Sequence, residues 1–364
     1  MTYVEFFDKN VIENICSSLK DTPEKILLIG PDRRLMEKYV KRYRRLFNER
    51  GYNPEFICKS VSRSNLQDAV SLLEEIVNIN NEFIFEISGG ENILCVALGI
   101  VLERYPDRNI DVRRCSKGDA VLSVKENIQL HGGEPTTYSW NMTPDFCEDV
   151  AAIWSICKKN VRKWNGQINT FETITYTGNC NEKCKIYRNI VEDLKKAGLI
   201  KKFYRNEKGF VIEYKNSQVR KCLTKAGLAL ELKIYTEASG LKDANGNLIY
   251  NDVMTSVTID WDGIDEDYDT ENEIDVVLMH GMTPVFVSCK NGIVEMDELY
   301  KLSMVAERFG GKNAKKALVV NSLSDNDFGR FFINRARDMG ITLLVNIQNM
   351  SDEELRKKLA SLWC

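Results

Sequence analysis

Short apolar segments alternate with amphipathic segments over the first 114 residues, and this alternation limits the possible folds more than any other feature. Near-continuous apolar strands separated by helices are typical of a parallel sheet covered on both faces. The sequence therefore predicts a doubly wound, Rossmann-like α/β domain, and residues 119–131 are predicted to add a hairpin. The predicted strands are Lys25–Gly30, Glu55–Lys59, Glu82–Ile87 and Ile110–Arg114, and the predicted helices are Arg33–Arg50, Asn65–Asn78 and Glu91–Arg104.

Two predicted strands end in sequences that suit ligand binding. One is Gly30, Pro31 and Asp32; the other is Ser88, Gly89, Gly90, Glu91 and Asn92. Ligands of open α/β sheets bind at the carboxyl ends of the strands, and glycines let backbone N–H groups approach a phosphate there. Neither sequence is a dinucleotide fingerprint or a Walker loop, which disfavours NAD binding and ATP hydrolysis. A ligand site and a plain strand–helix turn both remain open.

Charge is segregated along the chain although the net charge is only −3. Residues 151–225 hold 17 Lys/Arg and 6 Asp/Glu, whereas residues 231–300 hold 3 Lys/Arg and 16 Asp/Glu. A basic segment suits phosphate contacts with a nucleic acid. An acidic segment beside it would repel nucleic acid unless cations occupied it, which indicates a Mg²⁺ or Mn²⁺ site. The alternative is a solvated basic segment next to an acidic loop.

The cysteines and histidines further limit the kinds of site that the chain can form. The eleven cysteines are scattered, several in apolar runs, which favours reduced thiols over disulfides. Cys180 and Cys184 are spaced like zinc ligands, but no second pair or nearby histidine completes a site. The sequence has only two histidines, which disfavours an acid–base relay built on histidine. The chain has no long apolar run and no signal-peptide pattern at its start, so we expect a cytoplasmic protein without membrane contact.

The middle of the chain is predicted to be a linker followed by a small helical domain. Glu134–Pro144 is polar and bracketed by prolines, which is typical of a linker. Helices are predicted at Asp145–Asn160 and Asn181–Ala197, and Lys201–Tyr214 alternates like a two-stranded wing. This order is typical of a winged helix-turn-helix, which binds DNA or RNA in some proteins and only connects or dimerises domains in others.

Residues 272–290 carry the strongest chemical signal. Two β-rich runs flank a tight turn; Glu273 and Asp275 share a face of the first, and Ser288 and Lys290 share a face of the second. Pairing of these strands can bring Asp275 and Lys290 together. An acid that holds a divalent metal beside a lysine that stabilises a phosphate is the core of a phosphodiesterase site. The alternative is a surface hairpin with solvated charges.

This arrangement resembles the PD-(D/E)xK core of restriction-endonuclease-like nucleases. The resemblance makes Asp275 the first acid and Lys290 the lysine, while Ser288 stands where a second acid is expected. Some members carry the missing carboxylate on the following helix, where Glu295 and Glu298 are both available and Glu298 is preferred. A further acid often comes from the preceding helix, which implies Glu231.

The order of the three parts resembles the CRISPR-associated Rossmann fold (CARF) ancillary nucleases of type III CRISPR systems. The resemblance divides the chain into a CARF domain (1–133), a linker (134–144), a winged helix (145–221) and a restriction-endonuclease-like domain (222–364). It implies a homodimer that binds a cyclic oligoadenylate, most often cyclic tetra-adenylate, at the two glycine-containing loops. Its implied substrates are single-stranded DNA, RNA or nicked duplex DNA, cleaved with Mn²⁺ or Mg²⁺.

The same resemblance assigns roles within the site. The metal would be held by Asp275, Glu273, Glu298 and the Cys289 carbonyl, Lys290 would stabilise the transition state, and Glu231 would hold a second metal or a metal-bound water. The alternative function is a ligand-sensing transcription regulator that binds DNA through its winged helix and has an inactive nuclease domain. Ser288 is the best argument for that alternative.

Overall fold

The computed structural model describes residues 1–79, 82–115, 120–137, 140–159, 188–206, 209–225, 227–262 and 271–364. The predicted zinc pair, Cys180 and Cys184, lies outside the described residues. So do the tip of the predicted wing and most of the acidic loop of residues 260–273.

A five-stranded parallel sheet forms the amino-terminal part, with strand order β3-β2-β1-β4-β5. Its helix α2 packs on one face and helices α3 and α4 pack on the other, because each buries an apolar stripe against the sheet. The predicted α/β fold with a parallel sheet is confirmed. The elements are β1 Thr2–Phe6, α1 Ser18–Asp21, β2 Lys25–Gly30, α2 Arg33–Glu49, β3 Glu55–Ser60, α3 Leu66–Ile79, β4 Glu82–Glu86, α4 Asn92–Arg104 and β5 Asn109–Arg113.

Two details of this region differ from the prediction. The central strand β1 was missed, although all five of its residues are buried. The predicted hairpin at residues 119–131 is wrong, since Val124–His131 is a helix, α5. Ser123 caps that helix by accepting a hydrogen bond from the Glu126 N–H, while the Glu126 carboxylate accepts one from the Ser123 N–H. This capping box fixes the helix start and outweighs the local alternation.

A six-stranded mixed sheet forms the second layered unit, in the order β13-β12-β11-β10-β9-β6. The pairs β6–β9, β9–β10 and β10–β11 are antiparallel, and the pairs β11–β12 and β12–β13 are parallel. Part of the predicted linker is therefore a strand, because β6 pairs with β9 and satisfies its backbone groups at the sheet edge. The strands are β6 Glu134–Thr137, β9 Asp252–Asp260, β10 Glu271–His280, β11 Thr283–Lys290, β12 Lys315–Val320 and β13 Ile341–Val345.

Between β6 and β9 the chain forms a small helical unit with an antiparallel hairpin, β7–β8. It has an apolar core of its own, to which α6, α7 and α8 contribute Ile153, Leu194 and Cys222. Four more helices, α9 to α12, pack around the second sheet. These elements are α6 Pro144–Lys159, α7 Arg188–Lys196, β7 Ile200–Asn206, β8 Gly209–Tyr214, α8 Ser217–Thr224, α9 Leu228–Ser239, α10 Met296–Gly310, α11 Asp327–Asp338 and α12 Asp352–Ala360.

The two sheets share one continuous apolar core. Tyr43 of α2, Ile128 of α5 and Phe309 of α10 all belong to it. Helix α5 lies between the sheets, where the Asn127 side chain donates a hydrogen bond to the Phe309 carbonyl at 2.8 Å. Contacts between the sheets are therefore packed and hydrogen-bonded.

One expectation about the cysteines is corrected. Cys16 and Cys115 form a disulfide, with their Cα atoms 6.0 Å apart, where reduced thiols were expected. The fold brings them together because the chain segments after β1 and β5 meet at one edge of the first sheet. Within the described residues, no helix is long and apolar enough to span a bilayer.

Candidate functional site

The Asp275 carboxylate lies where strands β10 and β11 separate. The backbone ladder between them runs from His280↔Thr283 to Val276↔Val287 and goes no further. Beyond that pair, Asp275 Oδ2 accepts hydrogen bonds from the Cys289 N–H at 2.5 Å and from the Ser288 hydroxyl at 3.1 Å. The Asp275 side-chain oxygen thus replaces a backbone carbonyl as the acceptor. The two hydrogen bonds hold the carboxylate in the gap between the strands.

Strict strand alternation breaks at Asp275. Val276 and Leu278 pack in the core under α9, whereas Ile274, two residues earlier, packs in the opposite core under α10. The neighbouring strand β9 changes faces at the facing position, Ser256, whose φ of 52° is left-handed. Such a conformation is strained for serine and re-aims the side chains around it. The irregularity at Ser256 and Asp275 therefore lets groups from both sides of the sheet approach one carboxylate.

Lys290 approaches the site from the end of β11 and is held by helix α10. Its Nζ lies 2.8 Å from Glu298 Oε2 in the first turn of that helix. Burial lowers the pKa of Lys290, but the bond to Glu298 and the charge of Asp275 outweigh burial and raise it. Lys290 therefore stays protonated, and its positive charge opposes the effect of burial on the pKa of Asp275.

Glu231 of α9 places a second buried carboxylate at the site. It is 7% exposed, and its Oε2 accepts a hydrogen bond from Ser256 Oγ at 3.5 Å. Burial, followed by the charges of Asp275 and Glu273, raises the pKa of Glu231 to about 8. Burial also raises the pKa of Asp275, although the Cys289 N–H, Lys290 and Ser288 oppose it. Neighbouring buried carboxylates with raised pKa values are typical of functional sites.

This donor set suits a hard divalent cation. Asp275 and Glu231 supply buried carboxylates whose mutual repulsion a cation would relieve. Mg²⁺ is commonly held by one or two carboxylates, with water and substrate phosphates completing the coordination. Among the described residues, no group of three or more His, Cys, Asp or Glu side chains is close enough to hold an ion. The residues therefore fit a cation that shares its coordination with water and substrate, and they do not form an all-protein cage.

The predicted site residues largely come together. The charge of Asp275 acts on both Glu231 and Lys290, and Glu298 joins the site through its ion pair with Lys290. Glu273 is at the rim, where its carboxylate pairs with Lys225 Nζ at 3.4 Å. The assignment of Glu273, Glu298 and the Cys289 carbonyl as metal ligands stays a prediction.

The predicted ligand loops also meet, at the carboxyl edge of the first sheet. Two hollows flank the loop that follows β4. The Ser88 hollow, of about 430 Å³, is lined by Glu13, Ser88, Arg114, Met282 and Asn313 among others. The Gly90 hollow, of about 220 Å³, is lined by Pro31, Asp32, Arg63, Gly90, Glu91 and Lys312 among others. Gly30 ends β2, and Asn92 begins α4 directly after the loop.

Close packing explains the glycines of the loop after β4. A Cβ on Gly89 would lie 2.7 Å from the Asp8 Cβ, and one on Gly90 would lie 2.5 Å from the Phe6 Cβ. Gly90 also has a φ of +90°, which side chains rarely adopt. The loop therefore lies directly on the end of β1, an arrangement that only glycine permits at these positions.

Glu86 fixes the same loop from below. This buried carboxylate accepts hydrogen bonds from the Ser88 N–H at 2.9 Å and the Cys115 N–H at 3.1 Å, and from the hydroxyls of Ser88 and Ser17. It thereby joins the segments that follow β1, β4 and β5. Sequence reasoning missed Glu86, although an acid at the end of an apolar strand was a signal that could have been used.

Comparison with known proteins finds a similarity over the carboxyl-terminal part. The family model of the Card1-like endonuclease domain matches residues 220–361. This part of the chain is therefore similar to Card1-like endonuclease domains. The match covers α9, β9, β10, β11 and α10, which carry the site described above. A search of curated proteins finds no match to the sequence.

Two solved structures share the fold of the whole chain. Protein VC1899 from Vibrio cholerae is 16% identical, with a TM-score of 0.78 over 100% of this chain and 97% of that one. Can2 from Sulfobacillus thermosulfidooxidans, solved with cyclic tetra-adenylate, is 16% identical, with a TM-score of 0.69 over 99% and 97%. At this identity the likeness is one of fold. With the domain match, it confirms the resemblance to CARF-associated nucleases.

Proposed function

We propose that this protein is a metal-dependent nuclease of type III CRISPR defence, activated by a cyclic oligoadenylate. The observation that carries the proposal is the convergence of Asp275, Lys290 and Glu231 within the Card1-like endonuclease domain. Single-stranded DNA and RNA are the proposed substrates, with nicking of duplex DNA as a further activity. Cyclic tetra-adenylate is the proposed activator, since a structure of the same fold, Can2, was solved with it.

Each residue of the site has a proposed role in phosphodiester cleavage. Asp275 and Glu231 would hold Mn²⁺ or Mg²⁺, which when bound supplies Lewis-acid activation of water and of the phosphate. Lys290 stabilises the negative charge that develops on the phosphate oxygens. Glu298 keeps the Lys290 side chain in place from α10. Ser288 and the Cys289 N–H orient the Asp275 carboxylate and favour its charged form.

The remaining assignments are proposals from the same basis. Residues 1–133 would form the ligand-sensing CARF domain, and residues 145–221 a winged helix that connects it to a restriction-endonuclease-like domain. A cyclic ligand with two-fold symmetry suits a homodimer in which both copies contribute the loops at Pro31–Asp32 and Ser88–Glu91. The residues after β4 lie at the carboxyl edge of a parallel sheet, where such ligands bind.

The test is a cleavage assay with purified full-length protein, Mn²⁺, cyclic tetra-adenylate and labelled single strands. We expect cleavage that requires both additions. Asp275→Ala and Lys290→Ala should each reduce cleavage at least 100-fold, the order of effect seen when electrostatic stabilisation is removed, while calorimetry shows unchanged ligand binding. Lys301→Ala, an exposed lysine on α10, is the matched control.

Two outcomes would contradict the proposal. Wild-type activity in both site variants would remove the assignment of Asp275 and Lys290. Ligand-dependent binding of duplex DNA in a gel shift, without cleavage under any cation, would favour the ligand-sensing regulator instead.

A further inference from the structure

Helix α10 connects the two sites. Glu298 in its first turn pairs with Lys290 at 2.8 Å. The helix ends at Gly310 and continues into a 3₁₀ turn, Gly311–Asn313. Within this turn Lys312 lines the Gly90 hollow and Asn313 lines the Ser88 hollow. A helix of fifteen residues is about 22 Å long, so one rigid element extends from the catalytic lysine to the candidate ligand site.

The carboxyl end of α10 is packed tightly against the amino-terminal part. Arg308 donates a hydrogen bond to the His131 carbonyl at 2.5 Å, and the Phe309 carbonyl accepts one from Asn127 at 2.8 Å. A Cβ on Gly310 would lie 2.8 Å from the Phe286 ring, so the turn sits directly on the second sheet. Because these contacts leave little free space, a displacement of the turn is transmitted to the helix.

Lys9 and Arg114 line the two hollows as well as Lys312, but both belong to the amino-terminal part, whereas Lys312 comes from the carboxyl-terminal part. Acidic and basic side chains both line the Gly90 hollow, but Arg63 is already paired with Glu91 at 3.1 Å. Asp32 caps helix α2 by accepting a hydrogen bond from the Leu35 N–H at 3.0 Å. Lys312 is exposed and lies in the turn that leads into the second sheet, whereas the loops around it belong to the first sheet. A phosphate bound here would contact both parts at once.

We infer that Lys312 contacts a phosphate of the cyclic oligoadenylate, so that ligand binding acts directly on α10 and, through Glu298, on the position of Lys290. This inference rests on the proposed function. It assigns Lys312 as a ligand-binding residue contributed by the endonuclease domain. A ligand shifts a conformational equilibrium only through contacts that differ between the two states, and a lysine at the end of the connecting helix supplies such a contact.

The test compares wild type with Lys312→Ala, Lys312→Arg and the control Lys301→Ala, all as full-length protein. Calorimetry without metal measures affinity for cyclic tetra-adenylate. We expect about a tenfold loss for Lys312→Ala, the scale of one charge-assisted contact, partial recovery in Lys312→Arg and no change in the control. Cleavage at saturating ligand should also fall in Lys312→Ala, with the melting temperature unchanged.

The outcomes separate this inference from the function on which it rests. Wild-type affinity in Lys312→Ala would overturn the ligand contact, and full cleavage at saturating ligand despite weaker binding would overturn the coupling through α10. Failure of the wild type itself to bind cyclic tetra-adenylate would overturn the proposed activation, and this inference with it.

Discussion

The Cys289 N–H donates a 2.5 Å hydrogen bond to the Asp275 carboxylate where the backbone ladder between their strands has ended. Oriented in this way, the carboxylate is reached by Ser288 from one strand and by the charges of Lys290 and Glu231 from opposite sides of the sheet. The geometry of this one bond therefore determines how the groups of the candidate site meet.

Ser288→Ala tests how far the hydroxyl supports Asp275. Loss of the 3.1 Å hydrogen bond removes one group that favours the charged carboxylate. We expect cleavage to fall by about tenfold, since one hydrogen bond to a charged group contributes roughly 1.5 kcal/mol, with ligand affinity unchanged. Ser288→Thr keeps the hydroxyl and serves as the control. An unchanged cleavage rate in the alanine variant would show that Ser288 has no such role.

Glu231→Gln should stabilise the protein in the absence of metal. The pKa of Glu231 is raised to about 8, so the folded state retains its proton while the unfolded chain, near 4.5, has lost it. The stability that the folded state gains by keeping this proton is therefore fully present below about pH 4.5. It is lost as the pH rises to about 8, so the free energy of unfolding falls over that range. At pH 7 with EDTA, the variant should gain on the order of 2–3 kcal/mol in free energy of unfolding.

The same variant should lose the stabilisation that Mn²⁺ gives the wild type. Urea unfolding with EDTA and with Mn²⁺ measures both effects, and Glu103→Gln, an exposed glutamate on α4, is the control. Equal stability of wild type and Glu231→Gln at pH 7 would contradict the raised pKa.

Gly90→Ala should disrupt the loop after β4. The new Cβ would meet the Phe6 Cβ at 2.5 Å, and the residue would be held at a φ of +90°. We expect a loss of about 2–3 kcal/mol in unfolding free energy, together with loss of ligand binding. Gly99→Ala is the matched control, because nothing lies within 4 Å of its Cβ position on α4; it should stabilise the protein by up to about 1 kcal/mol. Similar behaviour of the two variants would refute the packing argument.

His131 should make the protein less stable in mild acid. Burial lowers the pKa of His131 to about 4, so the unfolded chain, near 6.5, is protonated first as the pH falls. The stability linked to neutral His131 is therefore fully present above about pH 6.5. It is lost progressively as the pH falls towards 4. Relative to His131→Asn, the wild type should lose about 2 kcal/mol between pH 7.5 and pH 5. Urea midpoints of both proteins at the two pH values measure this; parallel changes would contradict it.

Local sequence patterns were sufficient to predict the parts of the structure that depend on residues close together in the chain. Apolar strands alternating with amphipathic helices require a covered parallel sheet, so the architecture of residues 25–113 followed from periodicity. The tight turn after His280 forces β10 and β11 to pair, which placed Asp275 near Lys290. Each of these conclusions depends on neighbours in sequence or on a single hairpin.

Only the tertiary structure decided the rest, because it depends on contacts between distant segments. Strand β1 takes the centre of its sheet because it pairs with the next strand, β2, and also with the more distant β4. The left-handed Ser256 changes the faces of β9 and β10 in a way that no period-two pattern predicts. Packing of α10 against α5 brings Lys312 to loops that lie far earlier in the chain, at Pro31–Asp32 and Gly90–Glu91, whereas the sequence shows only a lysine in a turn.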